Sequence, residues 1–172
     1  DFLGFNIRKY GNGKLLIKPS KKSQKKFAEA THEVIYNMRA AKQTDVIGKL
    51  NPKITGWANY FRYVSSKVVF SKLDHIIFSQ LKRWAIRRHH NKSLKWIADK
   101  YWHHDGKRGW IFGIKGKDKK GQETVFRLNQ LAQTPILRHT KIKSEANPFD
   151  PRYDEYFKQR HLCRTRPLKC SA

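Results

Sequence analysis

The sequence predicts a mainly α protein: an N-terminal β-hairpin, then a helical bundle, then a small α+β C-terminal region. Three observations predict it. Apolar residues recur at intervals of three and four through most of residues 20–102, the period of helices with one buried face. Short alternating segments near each end flank turn-forming residues, as hairpins do. With 38% hydrophobic and 13% aromatic residues the chain can build a core, although its mean hydropathy is −0.79.

Residues 2–7 and 14–18 flank Gly11-Asn12-Gly13, the first hairpin. Pro19-Ser20 opens the first helix, with Ser20 as N-cap and Phe27, Ala30, Val34 and Met38 at helical spacing to about residue 41. A short helix over 44–50 is expected next, then Asn51-Pro52 as cap and first-turn proline of a third helix over 52–64. Ile54, Trp57, Ala58, Phe61 and Val64 form its apolar stripe, leaving Lys53, Tyr60 and Arg62 on other faces. The longest helix, 68–89, has Phe70, Leu73, Ile77, Leu81 and Trp84 as its ridge. Residues 93–102 read as another helix with Leu94, Ile97 and Tyr101 aligned, and 110–114 with 124–128 as a hairpin around the polar stretch 117–122. Residues 138–143 are basic and extended, and 147–151 form a turn capping a last helix over 152–160. No internal repeat is visible. Trp57 and Trp84 are expected in the core, whereas 106–160 is expected to bury little and act as an accessory arm.

Charge narrows the function. Lys and Arg number 38 against 13 Asp and Glu, a net +25, and a single-sign field of that size is tolerated mainly when a polyanion neutralises it. The charge is also clustered. Lys14, Lys18, Lys21, Lys22, Lys25 and Lys26 fall within thirteen residues that include no acid, and Lys82, Arg83, Arg87, Arg88, His89, His90, Lys92 and Lys95 form a second group. One lysine run is ordinarily a solvated helix face; two on this background point to phosphates. Cations complement a helix C-terminus by at most about 1 kcal/mol, which does not call for so many.

Only Cys163 and Cys170 occur, so neither a disulfide framework nor a four-ligand zinc site is available, and a reducing compartment is expected. No apolar run is long enough to span a membrane, and no signal peptide is recognisable. A start at Asp1 with an apolar run and no Met suggests a piece of a longer protein.

Phe2-Leu-Gly-Phe5, Ile17-Lys-Pro-Ser20, Leu50-Asn-Pro52, Gly56-Trp-Ala-Asn-Tyr-Phe-Arg62 and Arg83-Trp84 with Arg87-Arg88-His89 follow one another in order. So do Asn91-Lys-Ser93, Lys95-Trp96, Arg138-His139 with Lys141-Ile-Lys143, and Ala146-Asn-Pro-Phe-Asp-Pro151. Over residues 2–160 this succession resembles the C-terminal part of group II intron-encoded reverse transcriptases, or maturases. The resemblance implies four segments. Residues 1–19 would end the polymerase palm, 20–90 would be the thumb or domain X (maturase) bundle, 91–160 the DNA-binding region and 161–172 a tail. It implies binding of intron RNA to promote splicing, and engagement of template–primer and target DNA in intron mobility (retrohoming). The polymerase carboxylates would lie upstream, leaving this segment without catalytic residues. Many relatives end in an HNH endonuclease domain, for which the residues after 160 are too few.

The RNA-binding candidates are Lys18, Lys21, Lys22, Lys25, Lys26, Tyr60, Arg62, Lys82, Arg83, Arg87, Arg88 and His89. For DNA they are Lys92, Lys95, Arg138, His139, Lys141 and Lys143, where an extended strand would put His139, Lys141 and Lys143 on one cationic face. Expected partners are group II intron RNA, a DNA target and the upstream fingers and palm of the same protein, with no membrane. No cofactor is expected in this segment; Mg²⁺ would serve the upstream polymerase and the RNA. The expected setting is a ribonucleoprotein in a bacterial cytoplasm or an organelle.

Two other readings compete. One is an HNH-type nuclease using His89, His90 and Asn91, but adjacent helical side chains point about a hundred degrees apart and do not converge on one cation. His103-His104-Asp105 can also be read as a metal cluster, and Cys163 with Cys170 as half of a zinc site that a downstream pair would complete. The other, a structural RNA-binding protein, explains the charge but not the ordered motifs.

Overall fold

The computed structural model describes residues 1–11, 13–103, 110–117, 123–137 and 142–165. It is mainly α, with an N-terminal antiparallel hairpin and a small C-terminal sheet. Strands β1 (Phe5–Lys9) and β2 (Leu15–Pro19) pair with Phe5 opposite Pro19 and Lys9 opposite Leu15. Ahead of β1 the chain turns through Leu3 (φ 47°) and Gly4 (φ 81°), a left-handed conformation that glycine adopts without steric cost. The turn lets Gly4 O accept the Ser20 N–H at 2.8 Å, so the hairpin is fastened to the start of the bundle.

Helix α1 (Lys21–Asn37) begins as expected, with Ser20 Oγ accepting the Ser23 N–H at 3.1 Å. It buries Phe27, Thr31 and Ile35, one residue on from the stripe read through Ala30, Val34 and Met38, which are only half-buried. Helix α3 (Lys67–Arg88) buries Phe70, Leu73, Ile77, Leu81 and Trp84, joined by Gln80 and Ala85.

The expected break at Asn51-Pro52 is corrected. A single helix, α2 (Gln43–Phe61), runs through Pro52. Proline removes one N–H and normally kinks or ends a helix, but Val46, Ile47, Leu50, Ile54, Ala58 and Phe61 form one continuous buried stripe across it. The carbonyl that loses its partner belongs to Gly48, which like Pro52 is exposed and open to water. Asn51 does not cap: its side chain donates to Arg127 O at 3.1 Å and accepts from Asn129 N at 2.8 Å.

Helix α4 (Leu94–Tyr101) is capped by Ser93, which accepts from Trp96 N at 3.2 Å. Its Ile97 and Tyr101 are buried, but Leu94, read as aligned with them, is 59% exposed. A short strand β3 (Trp102–His103), absent from the sequence reading, joins β4 (Ile111–Lys117) and β5 (Glu123–Arg127) in an antiparallel sheet ordered β3-β4-β5. A 3₁₀ turn, Leu131–Gln133, follows; a second, Pro151–Tyr153, leads into α5 (Asp154–Thr165), with Asp150 accepting from Arg152 N.

The expectation that the region after 106 buries little is corrected for 111–131. Ile97, Tyr101, Trp102, Phe112, Leu128 and Leu131 belong to the same hydrophobic cluster as the bundle. Polar side chains of the helices hold the sheet in place. Gln43 Nε2 donates to Tyr101 O and Gly113 O, both at 3.1 Å. Asp74 accepts from Leu131 N and Ala132 N, both at 2.8 Å, while Lys67 donates to Ala132 O and Thr134 O. Burial nevertheless pushes the Asp74 carboxyl above its ordinary value, opposed by those two amides and by Lys67.

Candidate nucleic-acid interface

Helices α1 and α3 lie side by side, registered by a buried polar pair. Thr31 Oγ1 lies 3.1 Å from Gln80 Oε1 and 2.9 Å from Ala28 O, and Gln80 Nε2 donates to Ala28 O at 3.0 Å. This packing opens a groove of about 430 Å³ between the C-terminal halves of the two helices. His32, Tyr36 and Arg39 line it from one side, and Arg83, Arg87 and Arg88 from the other. No carboxylate lines it, so the guanidiniums are not neutralised locally.

The cations of the groove differ in occupation. Arg88 Nη1 donates to Arg39 O at 2.9 Å and Ala41 O at 2.6 Å, and its guanidinium sits 4.7 Å from the Trp84 ring centroid. Trp84 Nε1 donates to Met38 O at 3.0 Å. Together they satisfy carbonyls of the cap and turn that follow α1, so Arg88, expected as an RNA contact, closes the α1–α2 turn. Arg39 stacks on Tyr36 at 3.9 Å. Arg83 makes one long bond to Ser79 O at 3.4 Å, and Arg87, exposed, makes none among the described residues. Arg39, His32 and Tyr36 were missed by the sequence reading; a basic residue close to the expected end of the first helix, near residue 41, was the available signal.

The second cationic surface is the start of α1, where Lys21, Lys22, Lys25 and Lys26 are all exposed. No acid occupies that first turn. Cations beside the positive end of a helix dipole are unfavourable by roughly 0.3–1 kcal/mol each, so fold stability does not explain them. Lys25 pairs with Glu29 at 3.8 Å, with both side chains mostly exposed, an interaction of little weight. Lys26 borders a shallow groove with Lys53, Gly56, Trp57 and Tyr60. Trp57 is half-buried, stacked on Phe27 at 4.8 Å and tilted against Phe61 at 4.4 Å; Trp84 is the fully buried ring of the two.

The remaining candidates are scattered. Lys18 donates to the Tyr10 hydroxyl at 3.0 Å. Tyr60 is 51% exposed, but its hydroxyl donates to Leu3 O at 3.0 Å and its ring stacks on Phe5. Arg62 donates from Nη1 to Asn59 Oδ1, its Nε is buried without a partner, and its carbonyl accepts Leu137 N. Lys82 and Lys95 border a groove on the opposite side of α3 with Phe78 and Trp102. His89 is half-buried, its Nε2 is 2.8 Å from the Tyr101 hydroxyl, and Lys92 lies near Trp96. Burial first, then Lys100, Arg88 and Lys92, hold the His89 imidazole below its ordinary 6.5. Lys143 donates its N–H to the Tyr156 hydroxyl at 3.1 Å. Arg138, His139 and Lys141 lie outside the described residues, as do His104, Asp105 and Cys170. Among the described residues no three His, Cys, Asp or Glu gather closely enough to hold a metal ion, and no helix is long and apolar enough to cross a membrane.

A comparison with protein families matches residues 24–102 to the group II intron, maturase-specific domain. That span holds α2, α3, α4 and most of α1, including the whole arginine groove. No curated protein matches the chain.

Proposed function

Residues 24–102 are a group II intron maturase-specific domain, and on that premise we propose that the chain grips folded intron RNA along the α1–α3 groove and the lysine face of α1, promoting splicing. The observation that carries this is a groove with Arg39, Arg83 and Arg87 on its walls and no carboxylate among its lining residues. Guanidiniums suit phosphates because their planar fork donates two parallel hydrogen bonds. Such contacts read backbone and shape, which is how structured RNA is recognised. Arg88 contributes by holding the α1–α2 turn, and hence Arg39, against α3.

Salt dependence tests the reading. The logarithm of affinity for intron RNA should fall with log salt at a slope several units below zero, and Arg83→Gln with Arg87→Gln should make it shallower by about 1.5 units, from roughly 0.7–0.9 per contact. An affinity that ignores salt, or a slope the pair of changes leaves untouched, would count against the groove.

DNA engagement belongs to the same proposal. Lys95, Arg138, His139, Lys141 and Lys143 would contact target DNA, supported by their charge and by the resemblance to the DNA-binding region of reverse transcriptases. Replacing His139, Lys141 and Lys143 together in the full-length protein should impair DNA binding more than intron RNA binding in paired filter assays at matched salt. Mg²⁺ enters this picture through the folded RNA and an upstream polymerase, in a ribonucleoprotein.

A further inference from the structure

Trp96 and Lys100, four residues apart in α4, share one helix face, and Lys92 lies just ahead of the Ser93 cap. Lys100 Nζ lies 4.7 Å and Lys92 Nζ 5.6 Å from the Trp96 ring centroid. The ring is 38% exposed and is no part of the hydrophobic core, since α4 is seated through Ile97 and Tyr101. His89 meets it edge to face at 4.9 Å and is itself held by the Tyr101 hydroxyl. The helix's acid, Asp99, lines the separate groove with Phe78 and Trp102.

We infer that Trp96 is a stacking platform for an unpaired RNA base, with Lys92 and Lys100 taking the phosphates on either side of that nucleotide. This rests on the intron-RNA reading above and deepens it, since the arginine groove handles backbone and Trp96 handles a base. A large indole left on the surface between two flexible cations is what single-stranded nucleic acid requires: a flat apolar face for the base and mobile ammonium groups for the flanking charges. In the free protein the lysines cover the ring by weak exposed cation–π contact. They release it when phosphates offer a full negative charge. Folded RNA supplies such bases at its loops and bulges. Tyr101, buried and bonded to His89, keeps the His89 edge against the indole and so fixes the ring's orientation.

The test uses the whole chain and two fluorescein-labelled probes, a short unpaired RNA and a fully paired RNA stem. Trp96→Ala should weaken binding of the unpaired RNA about tenfold, leave its salt slope unchanged because no charge is lost, and leave the stem unaffected. Trp96→Phe should retain most of the affinity. The unpaired probe should quench tryptophan fluorescence less in Trp96→Phe than in the native chain, a readout independent of any effect on folding. Lys92→Gln with Lys100→Gln should instead make the slope shallower. Equal losses of Trp96→Ala on both probes, or unchanged quenching in Trp96→Phe, would overturn the proposal. The two readings fail separately: the Arg83 and Arg87 changes test the groove, and the difference between the two probes tests the platform.

Discussion

Individual cations with the same sequence signature have different work. Arg87 and Arg88 are neighbours in one basic run, but Arg88 donates to two carbonyls and covers Trp84 while Arg87 has no partner among the described residues. Arg88→Ala should therefore lower unfolding free energy by about 1.5–3 kcal/mol, and Arg87→Ala should stay within about 0.5 kcal/mol, both read from urea denaturation. Gly113 gives a steric counterpart. A Cβ there would lie 2.9 Å from Phe126 O and 3.0 Å from Val125 Cγ1, closer than the β5 backbone allows, so Gly113→Ala should cost roughly 1–3 kcal/mol without changing RNA affinity per folded molecule. His89 gives a pH dependence. Its folded pKa lies below the unfolded 6.5, so the unfolded chain takes up the proton first, and its contribution to stability is present above 6.5 and lost as pH falls through the folded value. Denaturation midpoints should drop between pH 7.5 and 5.5, and drop less in His89→Phe. Sequence alone showed that residue 89 belongs to a basic cluster; that the cluster itself disfavours its charge follows from Lys100 and Lys92 being brought beside it.

Elements were legible where local signals and burial agreed. Ser20 and Ser93 cap α1 and α4 where the sequence places them, and the ridge of α3 buries as spaced. Pro52 misled because local chemistry and tertiary packing disagreed there. Asn-Pro is a good helix start, but the six buried side chains of α2 extend on both sides of it, and burial of several such groups at about 1.5–3 kcal/mol each outweighs one lost hydrogen bond. Asn51 was free to serve elsewhere, on Arg127 O and Asn129 N. Asn51→Ala should consequently leave α2 helical by circular dichroism, yet lower stability by about 1–3 kcal/mol by orphaning those groups. A helix-start role predicts lost helicity instead.

At the scale of the molecule, the bundle and the sheet share one core. Tyr101 and Phe112 pack on Trp84, and Leu131 is fully buried. A chain cut after residue 90 should therefore fail to fold cooperatively, whereas the intact chain should lose near-UV and far-UV circular dichroism in one coincident transition; a well-folded 1–90 fragment would contradict this. What the sequence by itself determined was the helical class, both hairpins, the capped helix starts, the clustered excess of positive charge and the ordered words that resemble maturases. All of these are local in the chain, because caps, turns, periodicity and composition act over a few residues. Only the tertiary structure decided that α2 is continuous, that Gln43 and Asn51 tie the sheet, and Asp74 the 3₁₀ turn after it, to the bundle, and that Arg39 faces Arg83 and Arg87 across one groove. Those outcomes depend on residues some forty to eighty positions apart meeting in one core, and no local signal in the sequence records which of its many cations and amides will meet.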